Sequence, residues 1–137
     1  MTELQTEFDE LNRLAEDYDD GPFDNAMRSY MMRSLKPHLR AGKALEMGCF
    51  NGAFSECLAA EFDDLTVVDA VDRFLDNVRQ KLGSKVRTVC SLFEEFETED
   101  RFDAIFIVHV LEHLVDPVAV LRKAKSLLAP QGRLYLV

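Results

Sequence analysis

The sequence predicts an α/β domain, a doubly wound parallel sheet with helices on both faces, preceded by amino-terminal helices. Three observations predict it. Short apolar runs recur near residues 43–47, 65–69, 86–90, 103–108 and 133–137. Amphipathic stretches near 53–61, 72–82 and 117–128 connect the first run to the second, the second to the third and the fourth to the fifth. The first run also ends in a glycine-containing turn, Glu46-Met47-Gly48-Cys49-Phe50-Asn51-Gly52, that opens into a helix. Strands alternating with helices form parallel sheets through right-handed crossovers.

The elements follow in order. Leu4, Phe8, Leu11, Leu14 and Tyr18 recur at three- and four-residue steps, which predicts an amphipathic helix over about residues 3–17. Asp19-Asp20-Gly21-Pro22 breaks it. Asp24 is placed to cap a second helix with Met27, Tyr30, Met31 and Leu35 on one face, ending before Pro37. Ala44-Leu45-Glu46-Met47 forms the first strand, and Leu65-Thr66-Val67-Val68 forms the second and ends in Asp69. Asp116 as N-cap and Pro117 at the first helical position open the last helix. No internal repeat, linker or low-complexity segment appears.

Composition narrows the function. A length of 137 residues with 47% hydrophobic content fits one domain with a packed core. The net charge of −9 and the absence of a basic stripe argue against nucleic acid as a partner. The acidic groups at 16–20 and 94–100 read as solvated loops. Cys49, Cys57 and Cys90 are an odd number at no metal spacing and read as reduced thiols of a cytoplasmic protein. With no signal peptide and no apolar run of spanning length, no membrane association is expected.

The spacing around the turn points to a ligand. Glycine lets the backbone turn sharply and lets a ligand come close. About twenty residues further on, Asp69 closes the second strand, where a carboxylate can accept both hydroxyl hydrogens of a ribose. An adenosine-type cofactor is therefore expected. A dinucleotide fingerprint would place glycines at 48, 50 and 53, whereas the chain has Gly48, Phe50 and Ala53, which disfavours a nicotinamide-linked oxidoreductase. His109-Val110-Leu111-Glu112-His113 spells the His-x-x-Glu-His of inverted zinc proteases. Zinc chemistry would need both histidines on one helix face, yet the motif begins at the end of an apolar strand, so no metal is expected.

Taken together, these motifs resemble a known family. Glu46-x-Gly48-x-x-x-Gly52 followed by Asp69 resembles the first motif of class I S-adenosylmethionine-dependent methyltransferases, although that family usually has glycine where Phe50 stands. The segment from Phe102 to Leu114 resembles the fourth strand and following turn of small-molecule methyltransferases, including the ubiquinone-biosynthesis O-methyltransferase group. Leu127 to Val137 matches that family's helix end, turn and fifth strand, so the resemblance runs in order over residues 44–137.

The resemblance implies a Rossmann-like fold and S-adenosyl-L-methionine as cofactor. It also implies methyl transfer to O, N or C of a small-molecule acceptor. The alternative is a non-catalytic S-adenosylmethionine-binding or interaction domain of the same fold. The apolar faces of the amino-terminal helices and the Asp19-Asp20-Gly21-Pro22 break suggest a helical lid over 1–40, with Tyr18, Arg28 and Tyr30 pointing inward over a cofactor-binding core at 41–137. The family fold has seven strands, so the chain reads as a fragment truncated after strand five, whose apolar edge favours self-association.

Site residues follow from the same resemblance. Glu46 is assigned to the loop and the cofactor's ammonium, or simply caps the loop. Gly48, Cys49, Phe50 and Gly52 bring backbone against the methionine and ribose portions. Asp69, with Ala70, holds the ribose, unless it only caps the following helix. Ser91, Leu92 and Phe93 surround the adenine, Phe93 reading equally as core, and Val108 joins the cofactor-facing set. Arg28 reaches the cofactor carboxylate or lies on the surface. His109 is placed as general base, and His113, one turn on, as a second catalytic or pocket-lining residue.

Overall fold

The computed structural model describes residues 20–137 continuously and, before them, residues 2, 3, 5, 6, 9, 10 and 13. The helix expected from Leu4, Phe8, Leu11, Leu14 and Tyr18 rests on residues outside those described, as does the inward placement of Tyr18.

Five strands form one sheet: β1 (Lys43–Met47), β2 (Asp64–Asp69), β3 (Val86–Cys90), β4 (Phe102–Ile107) and β5 (Leu128–Leu136). Their order is β3-β2-β1-β4-β5, and every neighbouring pair is parallel. The chain builds outward from β1 through β2 to β3, then returns to lay β4 on the other side of β1. That reversal opens a crevice beyond the carboxyl ends of β1 and β4, the place where open α/β sheets take ligands.

Between residues 20 and 137 the sheet is covered by the α-helices α1 (Pro22–Leu35), α2 (Ala53–Ala59), α3 (Asp72–Leu82) and α4 (Pro117–Leu127). Alternating side chains of each strand separate two cores. On one face Ala44, Leu65, Val67 and Phe106 pack against Phe54 and Leu58 of α2 and Phe74, Leu75 and Val78 of α3, with Met31, Met32 and Leu35 of α1 alongside. On the other face Leu45, Met47, Val68, Ile105 and Ile107 meet Val120, Ala124 and Leu127 of α4. Each large side chain buried this way stabilises the fold by about 1.5–3 kcal/mol, so the two cores fix the sheet between its helices. Among the described residues, no helix is long and apolar enough to cross a membrane.

Three local expectations are corrected. Asp24 is not the N-cap of α1. The helix begins at Pro22 with Gly21 as cap, and the Asp24 carboxylate, one turn in, accepts from the Gly21 N–H at 2.9 Å. Proline at the first position needs no N–H partner, which moves the start three residues earlier. Strand β5 begins at Leu128 rather than near 133, because Leu128 already pairs with Phe102. The turn expected at Pro130-Gln131-Gly132 is present as an irregularity inside that ladder, with Gln131 at φ 63°. Tyr30 does not point inward: it is 67% exposed, with the Arg33 guanidinium over its ring at 5.6 Å.

Tyr135 ties the outer strand to the segment before β1. Its ring stacks on Phe106 at 4.8 Å, while its hydroxyl donates to the His38 carbonyl and accepts from the Arg40 N–H at 3.0 Å. Tyr135→Phe keeps the stacking and removes both bonds, so it should destabilise the chain by about 1–2 kcal/mol. Urea unfolding should show a lower midpoint with an unchanged slope. An unchanged midpoint would mean that water replaces the hydroxyl at no cost.

Candidate active site

The crevice is built from the end of β1. Glu46 and Ala44 project to the α2 face, which carries the Glu46 carboxyl into the core at 1% exposure. There Ser55 of α2 donates its hydroxyl to Glu46. Burial, reinforced by the charge of Asp69 and opposed by the Ser55 hydrogen bond, pushes the Glu46 carboxyl up to about 8.

The loop that follows depends on two backbone conformations. Gly48 has φ 91°, and a Cβ there would come within 2.5 Å of Val110, so the close approach of the loop to the segment after β4 requires glycine. Phe50 has φ 46°, left-handed although it is not glycine. The loop therefore takes a left-handed turn at a non-glycine residue, at a cost of about 1–2 kcal/mol. The Phe50 ring offsets part of that cost by packing edge-on to Phe74 at 5.4 Å. Asn77 of α3 also donates to the Phe50 carbonyl at 3.3 Å.

Asp69 clamps this loop from β2. One carboxylate oxygen accepts from the Cys49 N–H at 2.9 Å and the other from the Val71 N–H at 2.9 Å, while the Cys49 thiol lies 3.5 Å away. Loop anchoring and support of the α3 start are thus both present in one side chain. At 6% exposure, burial raises its carboxyl above the ordinary value, and these N–H bonds oppose the rise. Burial likewise pushes the Cys49 thiol well up, with the charges of Asp69 and Glu46 adding to it, so Cys49 stays a thiol.

Around these groups lies a cavity of about 520 Å³. The carboxyl end of β1 supplies Glu46, Gly48, Cys49 and Phe50, and that of β2 supplies Asp69 and Ala70. Leu92 and Phe93 line it after β3, and Val108, His109 and His113 after β4. Arg28 enters from α1.

Two expected residues are elsewhere. Gly52 does not line the cavity: with φ 77°, its α-carbon faces Val78, where a Cβ would lie 3.3 Å from backbone and side chain alike. That glycine serves the packing of α2 on α3. Ser91 is also absent from the lining, its N–H bonded to the Asp69 carbonyl and its hydroxyl donated to the Leu92 carbonyl at 2.8 Å. Glu94 lines the cavity after β3 instead, and with Phe96 only 4% exposed, the 94–100 segment is not simply a solvated loop.

Sequence reasoning missed other lining groups. Met27, Met31, Phe54, Val110 and Leu114 give the cavity apolar wall, and Asp20 and Asn51 give it polar wall. Asn51 stood inside the loop motif and was findable there. Asp20 stood in an acidic run read as solvated, yet its carboxylate accepts from Arg28 at 2.8 Å and from Asn51 at 2.6 Å.

His109 has φ 52°, and its N–H donates to the Val137 carbonyl at 2.9 Å. His113 ends a three-residue turn, Leu111–His113. The two histidines therefore do not share a helix face, and among the described residues no group of three His, Cys, Asp or Glu side chains is arranged to hold a metal ion.

A 3-2-1-4-5 parallel sheet with a glycine loop, a buried acid before it and an acid closing β2 defines the class I S-adenosylmethionine-dependent methyltransferase fold. The family model described as a methyltransferase domain matches residues 45–136, and the chain belongs to that family. It is 35% identical over 121 residues to nodulation protein S of Bradyrhizobium diazoefficiens, covering 85% of this chain and 58% of that protein. It is 28% identical over 147 residues to the ubiquinone biosynthesis O-methyltransferase of Actinobacillus pleuropneumoniae, covering 96% of this chain and 63% of that protein. The crystal structure of the N-methyltransferase NodS from Bradyrhizobium japonicum in complex with S-adenosyl-L-homocysteine superposes with a TM-score of 0.85 at 27% identity, covering 95% of this chain and 71% of that one. The chain thus spans little more than half the length of the curated nodulation proteins it matches.

The buried acid predicts a pH signature in stability. The Glu46 carboxyl lies at about 8 in the fold against 4.5 unperturbed, so its contribution is fully present below 4.5 and is lost as pH rises through 8. Glu46→Gln keeps an acceptor for Ser55 and stays neutral. At pH 8.5 that variant should therefore be more stable than the parent by roughly 2–4 kcal/mol, with little difference near pH 4.5. Urea unfolding across that range checks it, and parallel pH slopes for the two proteins would contradict the burial argument.

Proposed function

We propose that this chain binds S-adenosyl-L-methionine beyond the carboxyl ends of β1 and β2 and transfers its methyl group to oxygen, nitrogen or carbon of a small-molecule acceptor. One observation carries the reading: besides the protonated Glu46, the cavity is lined by four acids, Asp20, Asp24, Asp69 and Glu94, against one fixed cation, Arg28. That balance suits a cationic adenosyl ligand and repels the pyrophosphate of a dinucleotide or the backbone of a nucleic acid.

When bound, the cofactor supplies a methyl group already activated by its positive sulfur. The chain's part is placement, exclusion of water and the handling of one proton. Glu46 receives the ammonium group. Asp69 takes the ribose hydroxyls alongside the backbone N–H groups it already accepts from. Leu92 and Phe93 hold the adenine, with Glu94 in the place expected for Ser91 as acceptor for the exocyclic amine. His109 accepts the proton of a hydroxyl acceptor, while His113 and Leu114 line the acceptor's side. Support for transfer to both oxygen and nitrogen comes from the relatives, which include an O-methyltransferase and an N-methyltransferase. The three free cysteines support a reducing, cytoplasmic location.

Calorimetry should show binding of S-adenosylhomocysteine and none of NAD. Asp69→Asn should weaken that binding by about 10- to 100-fold. With a hydroxyl acceptor, His109→Gln should lower single-turnover rates by about 10²–10⁴-fold with cofactor affinity retained. Unchanged affinity in the Asp69 variant would remove its role, and cofactor binding with no turnover on any acceptor would leave a binding domain without transfer.

A further inference from the structure

Asp20, just ahead of α1, makes a contact that the proposed function does not use. The Arg28 guanidinium grips its carboxylate end-on, Nη1 to one oxygen at 3.3 Å and Nη2 to the other at 2.8 Å. The second Nη2 hydrogen goes to the Asn25 side-chain oxygen Oδ1 at 2.7 Å. A guanidinium offers two-point recognition along an edge, either through both Nη atoms or through Nη2 and Nε. With both Nη2 hydrogens committed, neither edge keeps two free donors. A second carboxylate cannot be held in two-point fashion while Asp20 stays.

A third donor converges on the same carboxylate. Asn51 Nδ2 donates to Asp20 at 2.6 Å, across 31 residues of sequence. Its amide orientation is fixed independently, because Asn51 Oδ1 accepts from the Ala53 N–H at 3.0 Å at the start of α2. All three residues line the cavity, and the Arg28 and Asp20 side chains are 14% and 23% exposed. The result is a cradle of three N–H donors, built by α1 and the glycine loop, that already holds one carboxylate.

We infer that Arg28 and Asn51 form a carboxylate-binding site which the chain's own Asp20 occupies, and that a ligand carboxylate enters it by replacing Asp20. The inference rests on the proposed cofactor reading, since the amino-acid portion of that cofactor carries the carboxylate. Exchange is feasible on energetic grounds. The incoming group meets the same three donors, and Asp20, partly exposed and one residue from Gly21, regains water when it leaves. Partly exposed ion pairs are weak, so the competition is modest, and apparent ligand affinity falls by the fraction of molecules in which the cradle is filled.

The test compares two ligands, S-adenosylhomocysteine and 5′-methylthioadenosine, which keeps the nucleoside and thioether but lacks the carboxylate and ammonium. Asp20→Ala and Asp20→Asn should each tighten S-adenosylhomocysteine about three- to tenfold and leave 5′-methylthioadenosine within about twofold. In an Arg28→Ala background the gain should vanish, since the two residues then no longer compete through a shared cradle. Asn51→Asp, which keeps the bond to Ala53 but replaces the donor by an acceptor, should weaken only the carboxylate ligand. Unchanged or weaker S-adenosylhomocysteine binding in both Asp20 variants, with both ligands bound by the parent, would overturn the exchange alone and leave Asp20 as a group that positions Arg28. Failure of the parent to bind either ligand would overturn the cofactor reading and this inference with it.

Discussion

Two carboxyl groups, Glu46 and Asp69, are buried at the carboxyl ends of adjacent parallel strands, and the geometry of the crevice depends on how each is satisfied. Asp69 meets its burial cost by accepting backbone N–H bonds, among them one from Cys49 in the loop after β1 and one from Val71 at the start of α3. Those two bonds fix the loop relative to β2. Glu46 is satisfied differently, by a single hydroxyl from α2, and burial holds it largely protonated at neutral pH. One acid therefore shapes the loop as an anion, while the other waits as a neutral group that a cation can ionise.

The loop between them accepts strain to reach this arrangement. Phe50 takes a left-handed conformation that glycine would adopt freely, yet its ring gives the loop a contact with α3 that glycine could not make. The same loop presents Asn51 toward α1, where Arg28 and Asp20 meet it. Backbone held from β2 and α3 and side chains shared with α1 make the cavity wall a continuation of the fold rather than a loose insert. Preorganisation of this kind is what a reaction driven by alignment requires.

Much of this was legible in the sequence, for physical reasons. Strand ends were readable because the apolar run Ala44-Leu45 meets the acid Glu46 just before the glycine turn, and Leu65-Thr66-Val67-Val68 stops at Asp69. The sheet of five parallel strands followed from their alternation with helices. The packing role of Gly52 was hidden because a glycine needed for ligand approach and one needed for helix packing look alike until Val78 is seen opposite it. Ser91 and Glu94 lie three residues apart on a loop whose path is set by the Asp69 carbonyl, a contact that no local spacing reveals. Tyr30 shared a helical face with Met27 and Met31 on paper, yet an aromatic ring with a polar tip is stable at the surface beneath Arg33. Asp20 was the least legible, since its partners lie on two other elements and its neighbours suggested only a solvated acidic run.

The central claim is that a neutral, buried Glu46 is ionised by the cationic part of a bound adenosyl ligand. Calorimetric titration with S-adenosylhomocysteine at pH 7, in buffers of different ionisation enthalpy, measures protons exchanged on binding. Glu46 lies at about 8 before binding, so a ligand ammonium beside it should release close to one proton, and affinity should rise with pH by up to about tenfold per unit below 8. In Glu46→Gln both the proton release and the slope should disappear. Binding with no proton released, or the same release from the glutamine variant, would contradict the account.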